Sequence, residues 1–172
     1  HRQIQTWRRL ALGDIEDLMA AMAIDPATLQ YLDNATNQKL APNENFAREV
    51  MELFTLGEGH YAEQDVKEAA RAFTGWSIEP DTGKFRWRPF AHDNGSKTVM
   101  GVSGNLDGDA VLDILLAQPQ TAEFLVRKLW REFVSLTPDE GETRRIARRF
   151  RDSGYDMRVA LRELFGSRGF WA

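Results

Sequence analysis

No cysteine occurs in the 172 residues, and histidine occurs only three times. The first absence excludes disulfides, a thiolate nucleophile and Cys-ligated zinc or iron–sulfur centres. Nothing approaches about 18 consecutive apolar residues, the length a membrane-spanning helix needs. The phosphate-cradling patterns GxGxxG and GxxxxGK[ST] are missing, as are the GxSxG elbow and the HExxH zinc helix. Nucleotide binding of that kind is therefore rejected, and no serine is singled out as a nucleophile. An export signal is also missing, but the chain opens on His1 and stops at Phe170-Trp171-Ala172. It reads as a fragment of a larger protein, from which any targeting segment would have been lost.

Apolar residues make up 42% and charged ones 28%, a balance that lets one domain of this length bury a sizeable core. We expect a single helical domain over 1–172; if it divides, the lobes are 1–106 and 107–172. The net charge of −4 hides an asymmetry. Residues 1–117 carry 11 basic and 18 acidic side chains, whereas residues 118–172 carry 11 basic and 8 acidic. The later helices are thus suited to an acidic surface, on this chain or on a partner.

Hydrophobic periodicity reads as helix after helix, interrupted once. Gln3 to Leu12 is a short helix. Asp14 caps the next, with Ile15, Leu18, Met19 and Met22 inward, and Asp25-Pro26 starts a third that runs to about Asn34. Asn43 caps a helix that Gly57 ends, and Glu63 to Phe73 buries Val66, Ala69, Ala70 and Phe73. Asp109 caps a segment through Ala117. Pro119 opens another with Phe124, Leu125, Leu129, Phe133 and Val134 inward. Thr137-Pro138-Asp139-Glu140 reads as a capping box, Gly154 closes that helix, and Asp156 opens the last, to Gly166. Between them, Phe85-Arg86-Trp87-Arg88 alternates like a strand, and Thr98-Val99-Met100 reads as its returning partner. The fold expected is mainly α, a multi-helix orthogonal or bundle-like domain with one small β-hairpin or irregular flap around residues 84–102.

The densest stretch is Pro42 to Trp76. Asn45, Arg48, Glu49 and Glu52 fall at i, i+3, i+4 and i+7, and Phe46, Val50, Leu53 and Phe54 form the opposite, inward stripe. Glu49 and Glu52 can share a divalent metal or divide acid and base roles if burial separates their pKa values. The bland alternative is an intrahelical network, Arg48 with Glu52 and Asn45 with Glu49. His92-Asp93 is a second candidate, as a metal-binding or basic pair in a loop, or simply as turn residues. Folding of the His92 loop over Glu49 and Glu52 is the sharpest catalytic hypothesis. Its metal ligands would be His92, Asp93 and Glu49.

Other features weigh toward structure or binding. Asn34, Asn37, Asn43 and Asn45 read mainly as turn and cap residues, and His60 as a solvated loop residue. Asn105-Leu106-Asp107-Gly108-Asp109 has a calcium-loop look, but Ile114 stands where the loop needs Glu, so a turn plus a cap explains it better. Phe85, Trp87 and Phe90 form either a stacking platform for sugars or bases or the underside of the flap. Asn45, Arg48, Trp76, Trp87 and Lys97 complete the candidate binding set. Arg144, Arg145, Arg148, Arg149 and Arg151 crowd one helix; they form a salt-bridged face or a contact for phosphates or anionic polysaccharide.

The run YLDNATNQKLAPNENFAREVMELFTLGEGHYAEQDVKEAARAFTGW, then HDNGSKTVMG and LLAQPQTAEFLVRKLWREFV, resembles the bacterial family catalogued as domain of unknown function 1800. The resemblance implies a long, helix-rich, often exported parent protein, encoded beside a sulfatase-like partner family. It implies no activity, cofactor or catalytic residue. The family usually has Thr where Ala62 stands, so this helix start loses about 1 kcal/mol of capping.

Two functions follow as expectations. The first is a structural or interaction module of an exported bacterial protein, partnered by the remainder of its parent chain or a protein encoded nearby. The second is part of a metal-dependent or acid–base hydrolase site, acting on carbohydrate. Nucleic acid is disfavoured as a partner, and no cofactor is evident beyond the candidate divalent metal.

Overall fold

A computed structural model describes residues 2–171 of the chain. Among them, helices α1 (Arg2–Leu10), α2 (Ile15–Ala23), α3 (Pro26–Tyr31), α4 (Asn45–Glu49) and α5 (Glu63–Ala72) come first. Four short strands follow: β1 (Trp76–Ile78), β2 (Phe85–Trp87), β3 (Lys97–Val99) and β4 (Val102–Gly104). Helices α6 (Gly108–Ala117), α7 (Pro119–Phe133), α8 (Glu140–Asp152), α9 (Met157–Phe165) and α10 (Arg168–Trp171) close the chain. The fold is mainly α with small hairpins. The expected single hairpin is in fact two. β2 pairs back to β1, with Trp87 opposite Trp76, and β3 pairs with β4 across a turn at Met100 and Gly101. Thr98 and Val99 therefore do not return on Phe85–Trp87. The local register of β3–β4, set by residues of positive φ, takes precedence over the longer connection.

The chain forms two compact units, one of residues 19–115 and the other of residues 2–18 with 116–171. In the first, Phe46, Phe73 and Trp76 form an edge-to-face aromatic core, with the Phe46 and Phe73 rings 4.8 Å apart. Val66, Ala69, Ala70 and Phe73 of the α5 segment are all buried, as its spacing predicts. Helix α3 starts as its sequence says: the Asp25 carboxylate accepts from the Ala27 and Thr28 amides, and Pro26 follows at N1. At α5, Asp65 reaches back to the Ala62 amide, but Ala62 offers no oxygen in return, so only half a capping box forms.

The helix that begins at α4 departs from expectation. After Glu49 it widens into a π-helix over Val50–Thr55, with the Leu56 amide donating to Met51 O at 2.8 Å and the Thr55 hydroxyl to Val50 O at 2.8 Å. The wider turn advances the buried face by one residue. Met51, Thr55 and Leu56 point inward, while Leu53 and Phe54, expected inside, are 46% and 42% exposed.

In the second unit, α7 and α8 pack along a stripe of Ala122, Val126 and Trp130 against Ile146, Ala147 and Phe150, all buried. Phe133, expected inside, is half exposed, and Phe124, Leu125 and Leu129 are only partly covered. The buried stripe of α7 runs at i, i+4 and i+8, one position from the stripe expected. The cap of α8 is Asp139, whose carboxylate accepts from the Glu142 amide, in place of Thr137. Asp156 caps α9 and Gly154 takes φ +71, as expected. The N-terminal segment joins this unit through a two-way ladder: the Ile15 amide donates to Tyr155 O and the Met157 amide to Gly13 O.

Candidate functional site

Three of the four candidate catalytic residues, His92, Asp93 and Glu52, are held by separate structural partners. His92 is only 4% exposed, and its Nδ1 lies 2.9 Å from the Thr74 carbonyl oxygen, which accepts its proton. The Trp87 ring packs on the imidazole at 4.9 Å. Asp93 is forked onto Arg71, at 2.7 Å to Nε and 3.2 Å to Nη2, and also accepts from the Gly95 amide. The Arg71 guanidinium holds the Asp93 carboxyl below the usual carboxylate range, against the opposing effect of burial. Glu52 accepts from the Tyr61 hydroxyl at 2.7 Å, and burial pushes that phenol up to about 12, with the Glu52 bond adding to the shift. Arg48 does not pair with Glu52; its fork takes Glu63 of α5, with Glu44 at 3.5 Å. Glu49 is half-buried on α4. Among the described residues no three His, Cys, Asp or Glu side chains are grouped to hold a metal ion.

Two candidate binding residues, Lys97 and Trp76, also turn inward. Lys97 is 1% exposed, and its ammonium donates to Gly95 O and Asn105 Oδ1, so it presents no charge to a ligand. Burial lowers its pKa. Helix α5 supports β3 in an unusual way. Glu68 accepts from the Thr98 amide and Asp65 from the Met100 amide, so two carboxylates one helical turn apart replace a neighbouring strand.

The site that does open to solvent lies on the β1–β2 hairpin. Trp76 and Trp87 face each other across the ladder, and Phe85, two residues along, shares their side of the ribbon. The Trp76 and Phe85 rings meet edge to face at 5.8 Å. Trp76 is mostly core at 5% exposure, while Trp87 is 41% exposed. Gly108 opens α6 directly against the Trp76 indole, where any Cβ would overlap the ring. This close approach brings Asp107 and Asp109 beside the aromatic residues. Together with Ile24 they line a cleft of 370 Å³. Asp107 caps α6 by accepting from the Ala110 amide, a role expected for Asp109. Asp109 keeps its carboxylate for the cleft. Burial pushes that carboxyl up, and the neighbouring Asp107 and Asp113 add to the shift.

The sequence matches the family described as Protein of unknown function (DUF1800) over residues 1–172. The chain belongs to that family. No curated protein and no solved structure matches it. Membership supplies no reaction, so the cleft must be read from its own chemistry.

Of the cleft residues, Phe85 and Trp87 belong to the aromatic platform that the sequence suggests together with Phe90, and Trp76 belongs to its candidate binding set; Phe90 does not line the cleft. Asp107 and Asp109 were passed over as a turn and a cap. The signal that would have found them is Gly108 between two aspartates, since glycine at a helix start permits close approach to a ring. The raised Asp109 carboxyl has a consequence for stability. Folding disfavours its ionised form, so the penalty is full at neutral pH and vanishes below the unfolded carboxylate range. Asp109→Asn is expected to raise the melting temperature at pH 7, with the gain shrinking toward about pH 4. Thermal melts across that range check it, and a variant less stable than wild type at pH 7 would contradict it.

Proposed function

We propose that this member of the family is a binding module whose 19–115 unit holds a neutral carbohydrate segment in the Trp87 cleft. In this reading it serves as an interaction part of an exported bacterial protein. The observation that carries the reading is a single one: an exposed indole braced by the buried His92 ring, beside two carboxylates in an open cleft. Aromatic faces stack on the C–H face of a pyranose ring, and carboxylate oxygens accept from its hydroxyls.

Binding is favoured over hydrolysis by the placement of the acids. Glycosidases set two carboxyl groups on either side of the scissile bond. Asp107 and Asp109 are two positions apart at one helix start, and Asp107 is committed to its cap. The test is a tryptophan fluorescence titration of the whole chain with cellotetraose, xylotetraose and chitotetraose. A saturable change with at least one sugar is expected, and it should be lost in Trp87→Ala and weakened in Asp109→Asn. No saturable change with any of the three, or a change that survives Trp87→Ala, would rule the reading out. Release of reducing sugar by the wild-type chain, lost in Asp109→Asn, would replace binding with catalysis.

A further inference from the structure

Helix α8 carries its arginines in two stripes of opposite status. Arg145 and Arg149, at i and i+4, are satisfied by carboxylates: Arg145 by Glu142 and Glu163, and Arg149 by Glu163. Glu163 answers both from α9, and Arg145 holds its carboxyl below the usual range. Arg127 of α7 is likewise taken, by Glu140 and Glu123. Arg144, Arg148 and Arg151 fall at i, i+4 and i+7 along the other side of α8. Among the described residues none of these three pairs with a carboxylate. The one bond seen is from Arg144 Nε to the Glu140 carbonyl, which leaves the rest of that fork open.

The open stripe faces a groove. Pro119 and Ala122 of α7 and Ala147 of α8 form its floor, with a cavity of 220 Å³ above them. Small residues at the crossing keep the floor shallow, so the three guanidinium groups form one wall. Seven residues of helix place Arg144 and Arg151 about 10 Å apart along the axis. Glu123, which pairs with Arg127, also lines the groove.

We propose that this groove binds an acidic polysaccharide, its arginines forking onto sulfate or carboxylate groups of successive sugar rings. Planar guanidinium groups match both oxyanions with paired, charge-assisted bonds. A linear chain of charged, hydroxylated rings suits a row of cations over a shallow floor. A protein partner would need a deep pocket for an apolar or aromatic anchor, and the alanine floor provides none. Single-stranded nucleic acid would need aromatic stacking surfaces, and the groove lining has no aromatic residue. The inference is independent of the Trp87 cleft, which lies in the other unit.

The experiment is a titration of the whole chain, at low and at physiological salt, with two fluorescent probes. One is a heparin octasaccharide, for sulfate esters, and the other an oligogalacturonate, for carboxylates. Binding of at least one, weakening with added salt, is expected. Arg148→Gln combined with Arg151→Gln should weaken it about tenfold or more. Arg149→Gln, from the satisfied stripe, should change it less than about twofold. Circular dichroism confirms that each variant is folded, and Arg148→Lys with Arg151→Lys, which keeps the charge, provides a second folded comparison expected to recover part of the binding. The proposal fails if neither probe binds, or if Arg149→Gln weakens binding as much as the double variant. It also fails if an oligo-dT or a polyglutamate of equal charge binds as tightly as the better glycan.

Discussion

Asn37→Ala is expected to destabilise the 19–115 unit by about 4 kcal/mol. Asn37 is fully buried and uses both donors and one acceptor position of its side-chain amide. Its Nδ2 donates to Asn34 Oδ1 and to Ala70 O, both at 2.9 Å, and its Oδ1 accepts from the Asn43 amide at 2.9 Å. Asn34 in turn donates to Phe73 O and Trp76 O. These carbonyls belong to the end of α5 and the strand after it, where a helix leaves acceptors without intrahelical donors. Removing the amide strands Asn34 Oδ1 and Ala70 O in the interior and the Asn43 amide at its part-buried margin, and each buried group costs about 1–3 kcal/mol. Asn37→Asp should be nearly as damaging, because a carboxylate cannot donate to Ala70 O. Urea unfolding checks both, and a loss below about 1 kcal/mol for Asn37→Ala would mean that water replaces the side chain.

Gly75→Ala should cost about 3 kcal/mol and remove the cleft as well. Gly75 sits at φ +90, and a Cβ there would lie 2.7 Å from Arg88 O and 3.0 Å from the Trp87 ring. Its own backbone is committed on both sides: the amide donates to Asn37 O, and the carbonyl accepts from the Arg88 amide. The methyl group can be accommodated only if the β1–β2 hairpin moves away, which carries Trp87 off His92. Two readouts should therefore change together, a lower melting temperature and a lost fluorescence response to sugar. A variant that melts like wild type would show that the hairpin relaxes at little cost.

What was legible in the sequence was local. Asp25-Pro26, Gly57, Gly154 and Asp156 mark helix ends through bonds to residues two to six positions away, and each acts as its type predicts. The buried face of α5 followed from spacing alone. What failed depended on distant neighbours. Nothing near Phe85 reveals that its strand pairs with Trp76 instead of Thr98, because both pairings satisfy the alternation. Arg48 has a carboxylate four residues on, yet Glu63 of the next helix wins with a two-bond fork. A joining of His92 with Glu49 and Glu52 depends on tertiary contact, for which the sequence carries no local signal. The structure instead gives His92 to Thr74 and Trp87. The two aspartates of the cleft were hidden for a related reason: their meaning depends on an indole 31 and 33 positions earlier in the chain.

The π turn after Glu49 has a meaning in terms of chain length. Its buried positions are Phe46, Ala47, Val50, Met51, Thr55 and Leu56, so the last pair arrives one step later than an α ladder would bring it. Deleting a single residue from Glu52 to Phe54 would restore uniform spacing while keeping the same six side chains inward. The segment thus has the form of an α-helix with one supernumerary residue, absorbed by widening a turn. Most buried helices lose their core face when a residue is removed. This one would become regular.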